Sequence, residues 1–201
     1  MTTMTMGEAL EPAAHGHAAE AHGHEEAHDV PGMNRLGLLL FMASETMLFL
    51  AMAAARFYGA GMEKGEVNLG LGLGMTAILL ASSWLGYRAT AAIARGNRAA
   101  FMRSIALAAV LGVVFIGAVA YEWTSAPFKV SEPYGTAFYS MTGLHVFHLF
   151  QGLLGLVGLL WLGSRGKFGP GDHWGVTAVV RFWTFVDVMW LVVVFPVLYI
   201  L

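Results

Sequence analysis

Cysteine is missing from the sequence, and charged residues are scarce. With no cysteine, the chain contains no disulfide, no thiolate metal site and no cysteine nucleophile. Lys, Arg, Asp and Glu make up only 12% of the 201 residues, whereas a soluble domain carries about 25%. The formal net charge of −2 provides no positive field, so no nucleic-acid partner is expected. The chain instead contains 57% hydrophobic residues, which indicates an integral membrane protein.

The first 32 residues differ in composition from the rest of the chain. They contain several Glu and Ala, almost no large apolar side chain, and five of the eight histidines: His15, His17, His22, His24 and His28. Such a segment cannot bury enough apolar surface to offset the entropy of ordering it. We therefore expect residues 1–32 to form a disordered, cytoplasmic polar tail before a membrane domain of residues 33–201. Metal binding by the H-x-H pairs is the alternative, and a solvated tail fits the composition better.

Five long apolar stretches follow the tail. Each is close to the ~20 residues that an α-helix needs to cross the hydrocarbon core of a bilayer. They cover residues 36–57, 69–87, 104–123, 137–162 and 176–201. The runs are continuous rather than alternating, which favours helices over barrel strands. The predicted fold is therefore all-α and polytopic, with five transmembrane helices.

Basic residues are unevenly distributed between the links that join these spans. Arg35 precedes the first span, and the second and fourth links hold most of the others: Arg88, Arg95, Arg98, Arg103, Arg165 and Lys167. The opposite side holds only Arg56, Lys64 and Lys129. Because cytoplasmic loops carry the excess of Lys and Arg, the N-terminus is predicted to be cytoplasmic and the C-terminus outside.

Polar side chains within the apolar spans are the most informative residues. Glu45 lies about ten residues into the first span, hence ~15 Å deep and near the bilayer midplane. A charge there is costly, so this buried mid-membrane acid is expected to be neutral or held by a neighbouring helix. Packing, proton handling and subunit coupling are all open roles for it. His145, His148 and Asp187 lie in the middle third of the last two spans and predict an interhelical polar network.

A haem or metal site is the alternative interpretation of the two histidines, because histidines at membrane depth often bind haem. His145 and His148 stand three residues apart on one helix, so they cannot occupy the opposite axial positions of one haem. We therefore expect this chain to bind no metal. Arg181, Trp183 and Arg56 are candidate lipid contacts, Arg181 because it lies about one turn inside the interface.

Small residues and one proline predict local features of the last two helices. Gly152, Gly155 and Gly158 recur every three residues, a spacing that allows another helix to approach closely. Pro196 removes one backbone hydrogen bond near the end of the last helix, which predicts a kink there.

Five segments resemble, in order along the chain, the motifs of one protein family. Residues 43–49 resemble a Ser-Glu motif on its first shared helix, and residues 76–83 its T-x-L-L-x-S-S stretch. Residues 121–123, Tyr-Glu-Trp, resemble its Q-x-x-E-W helix end. Residues 142–148 and 183–190 are similar to its T-G-x-H-G-x-H and W-H-F-V-D-x-x-W patterns. This family is subunit III of the haem–copper oxidases, the terminal oxidases that use cytochrome c or quinol.

The resemblance implies an accessory subunit of a cytochrome c oxidase that packs beside subunits I and II in a bacterial plasma membrane. Such a subunit is not catalytic: haem and copper belong to its partners, and it holds phospholipid and supports proton uptake. The complex oxidises cytochrome c, reduces O2 to water and pumps protons. In this setting Glu45 is the buried mid-membrane acid, while His145, His148 and Asp187 join the fourth and fifth helices.

The chain departs from the family patterns at three positions. Val146 replaces the Gly between the histidines, Thr184 replaces a His, and Thr177 replaces a Glu near the start of the last helix. A lipid or partner contact in that region is therefore expected to be altered. The alternatives within the superfamily are the same subunit of a quinol oxidase and a nitric-oxide-reductase-associated homologue. A small transporter would need discontinuous helices, and a membrane cytochrome would need haem ligands on two helices.

Overall fold

A computed structural model describes residues 30–63, 65–171 and 173–201. Within these ranges it contains five helices that are long and apolar enough to cross a bilayer. They are α1 (Val30–Ala60), α2 (Leu69–Ala94), α3 (Arg98–Ser125), α4 (Pro133–Ser164) and a fifth span, Trp174–Ile200, that begins with α5 (Trp174–Met189). The predicted all-α fold with five spanning helices is confirmed. Most of the predicted tail, residues 1–29, lies outside the described residues, and the division of the chain at residue 32 stays a prediction.

Local sequence signals set the ends of α2 and α3. The side-chain oxygen of Asn68 accepts a hydrogen bond from the N–H of Leu71 at 3.0 Å, and that of Asn97 accepts one from Ala100 at 3.0 Å. Each asparagine therefore caps a helix start. Gly96 ends α2 with a φ of 75°, a conformation that glycine adopts without strain. The resulting short link makes α2 and α3 an antiparallel pair.

Helix α5 lies at the centre of the bundle, and α1 lies at its edge. The apolar window of α5 is the most buried of the five and that of α1 is the least buried. Helix α5 packs against α2, α4 and α1, while α4 also contacts α1 and α3. The side chains that α5 projects therefore meet three other helices, and these contacts position the polar groups described below.

The indole ring of Trp183 of α5 is inserted between α2, α3 and α4, and we call it the Trp183 wedge. Its side chain is fully buried, and its indole N–H donates to the Ser82 hydroxyl of α2 at 2.9 Å. A Cβ added at Gly112 of α3 or Gly152 of α4 would lie 2.6 or 2.7 Å from the indole ring. Both glycines therefore leave the space that the ring fills. This placement corrects the prediction that Trp183 contacts lipid, because the ring has no exposed surface.

The three regularly spaced glycines of α4 do not share one role. Gly152 lies against Trp183, and a Cβ at Gly155 would lie 3.0 Å from Val179 of α5. Nothing lies within 4 Å of a Cβ built at Gly158. Two of the three glycines therefore permit the close approach of α5, and the third faces open space.

The last helix widens after Met189. Two π-helical segments cover Trp190–Val194 and Pro196–Ile200, and the N–H of Phe195 donates to the carbonyl of Trp190, five residues earlier. Because proline has no N–H, Pro196 cannot continue an α-helical ladder. A widened segment is found where the sequence predicts a kink.

The Trp183 wedge predicts opposite effects for the same substitution at two positions of α3. Gly112→Ala places a methyl group against a rigid, hydrogen-bonded indole and should destabilise the protein by about 1–3 kcal/mol. Gly117→Ala meets nothing within 4 Å and should be neutral or stabilising by about 0.5–1 kcal/mol, because alanine favours the helix. The thermal denaturation midpoint of the detergent-solubilised protein measures both. Equal midpoints for the two variants would contradict the wedge.

Candidate functional site

Glu45 and His148 form an ion pair or hydrogen bond between α1 and α4. The Nε2 atom of His148 lies 2.8 Å from Oε2 of Glu45, and its Nδ1 atom lies 2.8 Å from the carbonyl oxygen of Leu144. The His148 side chain is 3% exposed and the Glu45 side chain 21%. Both nitrogens of His148 are therefore engaged, and Glu45 lies halfway along α1.

The geometry of this pair defines where one proton can reside. Since a carbonyl only accepts hydrogen bonds, Nδ1 of His148 carries a hydrogen. The second proton lies between Nε2 and the Glu45 carboxyl group. It forms either a neutral imidazole with a carboxylic acid or an imidazolium with a carboxylate. Both arrangements have zero net charge, which lowers the cost of placing two titratable groups in hydrocarbon.

A second set of polar contacts joins α2 to α5. The Ser83 hydroxyl donates to Oδ2 of Asp187 at 2.6 Å, and the indole N–H of Trp190 donates to the Thr76 hydroxyl at 3.0 Å. The bond from Trp183 to Ser82 lies in the same interface. We call these three bonds the α2–α5 joint. The hydroxyls of residues 76–83 and the polar groups of residues 183–190 are thus partners across one interface.

His145 stands apart from both polar sets. Its ring is fully buried, and its centroid lies 5.5 Å from that of Phe115 and 5.0 Å from that of Trp190. Neither ring nitrogen has a hydrogen-bond partner within the part of the chain that the structure describes. The imidazole is therefore enclosed by aromatic rings and functions there as a packing element.

The predicted network of His145, His148 and Asp187 is thus replaced by two separate pairs. His148 meets Glu45, Asp187 meets Ser83, and His145 meets neither. The physical reason is helical rotation: residues three apart on an α-helix point about 60° away from each other. His148 consequently faces α1 while His145 faces the aromatic core. The equal depth of Glu45 and His148 was the one sequence signal for their pairing.

Arg56 is buried and bonded within its own chain. It is 1% exposed, and its guanidinium donates to the carbonyl of Gly61 and, at 2.5 Å, to that of Glu63. It also lies 5.3 Å from the centroid of the Tyr134 ring. These contacts fasten the turn that follows α1. The charged group is thus turned towards the backbone, and a lipid contact of Arg56 stays a prediction.

Arg181 remains exposed, and a second arginine accompanies it. The guanidinium carbons of Arg181 and Arg35 lie 5.8 and 6.0 Å from the ring centroid of Trp174. Two cations from α1 and α5 thus lie near one indole, at the end of the bundle where both helices begin. Sequence reasoning used Arg35 only to orient the chain, because its proximity to Arg181 depends on how the two helices pack.

Potential metal ligands are few within the part of the chain that the structure describes. No group of three or more His, Cys, Asp or Glu side chains in the described ranges is arranged to hold a metal ion. His148 has both nitrogens engaged, which leaves His145 as a single available imidazole donor of the membrane spans. One donor provides neither a dinuclear site nor a two-histidine haem site.

The Glu45–His148 pair predicts strong coupling between substitutions at the two positions. Either Glu45→Gln or His148→Phe alone should destabilise the protein by about 1–3 kcal/mol, because the remaining partner is left unpaired in hydrocarbon. The double variant should lose less than the sum of the two, with a coupling energy of about 1–2 kcal/mol. Denaturant unfolding in detergent measures the cycle, and additive losses would show that the two side chains do not interact.

Comparison with known proteins agrees with this architecture. Residues 15–201 match the family of cytochrome c oxidase subunit III. The cytochrome c oxidase subunit 3 of Thermostichus vulcanus is 33% identical over 185 residues, which cover 88% of this chain and 92% of the relative. The protein of the same name from Synechocystis sp. is 31% identical and covers 90% of this chain and 80% of the relative.

A more distant relative shows the same correspondence. The probable cytochrome c oxidase subunit 3 of Nocardia farcinica is 29% identical over 172 residues, or 80% of this chain and 85% of the relative. The family match, the length of the shared region and the five apolar helices together identify the chain. It belongs to the subunit III family of cytochrome c oxidases, and it is a multi-pass membrane protein that forms part of an oxidase complex.

Proposed function

We propose that this chain is a non-catalytic subunit of a proton-translocating cytochrome c oxidase and packs beside subunits I and II, which hold the haem and copper. The observation that carries this proposal is that two of its acidic side chains are each bonded to a side chain of another helix. Glu45 is engaged by His148 and Asp187 by Ser83. Groups that are bonded across helix interfaces stabilise an arrangement of helices, and they are not free to bind substrate.

The two polar sets give this subunit a defined shape within the membrane. In hydrocarbon an unpaired polar group costs several kcal/mol, so alternative rotations of α1 or α5 that break a pair are disfavoured. The Glu45–His148 pair ties the peripheral helix α1 to α4, and the α2–α5 joint fixes the central helix. We infer that the resulting fixed outer surface is what the catalytic subunit recognises.

Support of proton uptake is the role that we propose for Glu45. Its carboxyl group lies 2.8 Å from Nε2 of His148 and is partly exposed at the edge of the bundle. The pair can therefore shift a proton between two sites without a change in net charge. This property suits a position beside a proton-conducting partner.

Phospholipid binding is proposed at the Arg35–Trp174–Arg181 cluster. Two guanidinium groups at one membrane interface suit the phosphate of an anionic headgroup, and both lie near the ring of Trp174, a residue type enriched at membrane interfaces. Helix α1 and helix α5 each contribute one arginine. A lipid bound here would therefore bridge the edge and the centre of the bundle.

The orientation that we propose places the N-terminus in the cytoplasm and the C-terminus outside a bacterial plasma membrane. The basic side chains that support it include Arg88, Arg98 and Arg165, all at the same end of the bundle as Arg35. Residues 1–32 then form a cytoplasmic polar tail, separate from the membrane domain of residues 33–201. Both statements follow from the distribution of charge along the sequence.

Removal of the Asp187 carboxylate tests the accessory role. Asp187→Ala breaks the bond to Ser83 and should loosen the α2–α5 joint, so that the purified complex retains less of this chain, by about tenfold at equal detergent. The haem absorption spectrum of the remaining complex should be unchanged. Ser83→Ala removes the same bond and leaves the buried Asp187 carboxyl group unpaired, so it should show a loss at least as large. Disappearance of a haem band from a fully assembled complex would overturn the proposal.

Orientation is tested with a matched pair of serine-to-cysteine variants, because the chain has no native cysteine. Ser131 lies in the link between α3 and α4, and Ser164 ends α4 on the opposite side; both are exposed. A membrane-impermeant maleimide applied to intact cells should label Ser131→Cys and leave Ser164→Cys unlabelled until the cells are broken. The reverse pattern would place the N-terminus outside.

A further inference from the structure

A cavity of about 200 Å³ opens at the end of the bundle opposite to the arginine cluster. It lies between the start of α2, the end of α3 and the link after α3. Its polar walls are Glu66, Asn68, Glu122 and Ser125, and its apolar walls include Leu71 and Phe128. Carboxylates therefore face an apolar surface across a space of side-chain size.

Glu122 is the buried acid of this cavity. Its side chain is 5% exposed, and its Oε2 atom accepts a 2.5 Å hydrogen bond from the Tyr199 hydroxyl. Its Oε1 atom is buried and has no hydrogen-bond partner among the described residues. A carboxyl group in a protein interior normally has both oxygens bonded, so Glu122 retains the capacity to accept a further donor.

The described charged residues that line the cavity and its neighbour are all acidic. An adjoining cavity of about 430 Å³ shares Glu66 and Phe128 with the first and adds Glu63 and Glu132. No Lys or Arg side chain of the described ranges lines either cavity. The nearby guanidinium of Arg56 is already engaged by two backbone carbonyls. The acidic walls thus have no basic partner among the described residues that line them.

We propose that this cavity binds a basic side chain, Lys or Arg, of a neighbouring subunit in the oxidase complex. The ammonium or guanidinium group donates to Oε1 of Glu122 and to Glu66, in charge-assisted hydrogen bonds. Leu71 and Phe128 cover the methylene stem of the incoming side chain. The inference rests on the proposed assembly with other subunits. Beyond that assembly, it identifies this cavity as the position where another subunit is anchored and a basic side chain as the group that binds there.

The test compares three variants within the assembled complex. Glu122→Gln and Glu66→Gln each remove one negative charge from the cavity, and Glu132→Gln removes one from the adjoining cavity only. The complex is washed with increasing KCl, and the fraction of this chain that stays bound is measured by size-exclusion chromatography and gel densitometry. At the salt concentration that releases half of the wild-type chain, the two cavity variants should be retained about tenfold less well. Glu132→Gln should behave as wild type.

Each outcome decides for or against the anchor. Equal retention of all variants would overturn it, and equal loss in all three would show a diffuse effect of surface charge instead. If Glu122→Gln fails to assemble, the exposed Glu66→Gln decides alone. Failure of the proposed function would be visible separately, because the wild-type chain would then not be retained even at low salt.

A high-resolution map of the assembled complex distinguishes the source of the cation. A Lys or Arg nitrogen of another subunit within hydrogen-bonding distance of the Glu122 carboxyl group is the expected result. A free cation or water alone in the cavity would contradict the proposal.

Discussion

A polar group left without a partner in hydrocarbon costs roughly 2–7 kcal/mol, and the arrangement of this bundle depends on that constraint. Glu45 can lie near the middle of α1 because His148 of α4 meets it at 2.8 Å. Asp187 can lie inside α5 because Ser83 of α2 meets it at 2.6 Å. Each pair joins two helices that are not adjacent in sequence. The residues that first suggest an active site are therefore joints between helices.

The fit of Trp183 between two glycines complements these polar joints. Gly112 and Gly152 bring α3 and α4 close to the ring, and the Ser82 hydroxyl accepts a hydrogen bond from the indole N–H. Dispersion contacts drive helix association in a bilayer, because apolar side chains are as well solvated by lipid as by protein. The hydrogen bonds then select one rotation of each helix. Packing and polar pairing thus specify the same arrangement, which is what a subunit needs to present a constant surface to its partners.

The sequence predicts the elements better than their contacts. Five spans and the positions of Glu45, His145 and Asp187 along them follow from hydropathy, since a bilayer sorts residues along one axis. The rotation of each helix about that axis depends on packing between helices. Hydropathy and position along one sequence do not predict it. For this reason the predicted partner of Asp187 was a histidine, whereas the structure shows Ser83.

The same limit applies to the charged residues near the interfaces. Arg56 has the position of a lipid-facing arginine, but its side chain turns back to bond the carbonyls after α1. Arg35 gains significance only because α1 and α5 bring it beside Trp174 and Arg181. The anchor at Glu122 was likewise hidden, since its cavity lies mainly between residues 66–71 and residues 121–128, which are distant in sequence.

The central claim, that the buried histidines of this chain serve structure and not redox chemistry, has one direct test. It is the ratio of haem and copper to protein in the assembled complex that carries His145→Phe together with His148→Gln. If the claim is correct, haem and copper per complex equal those of the wild type, although the variant complex is less stable. Loss of one haem or one copper per complex would contradict it.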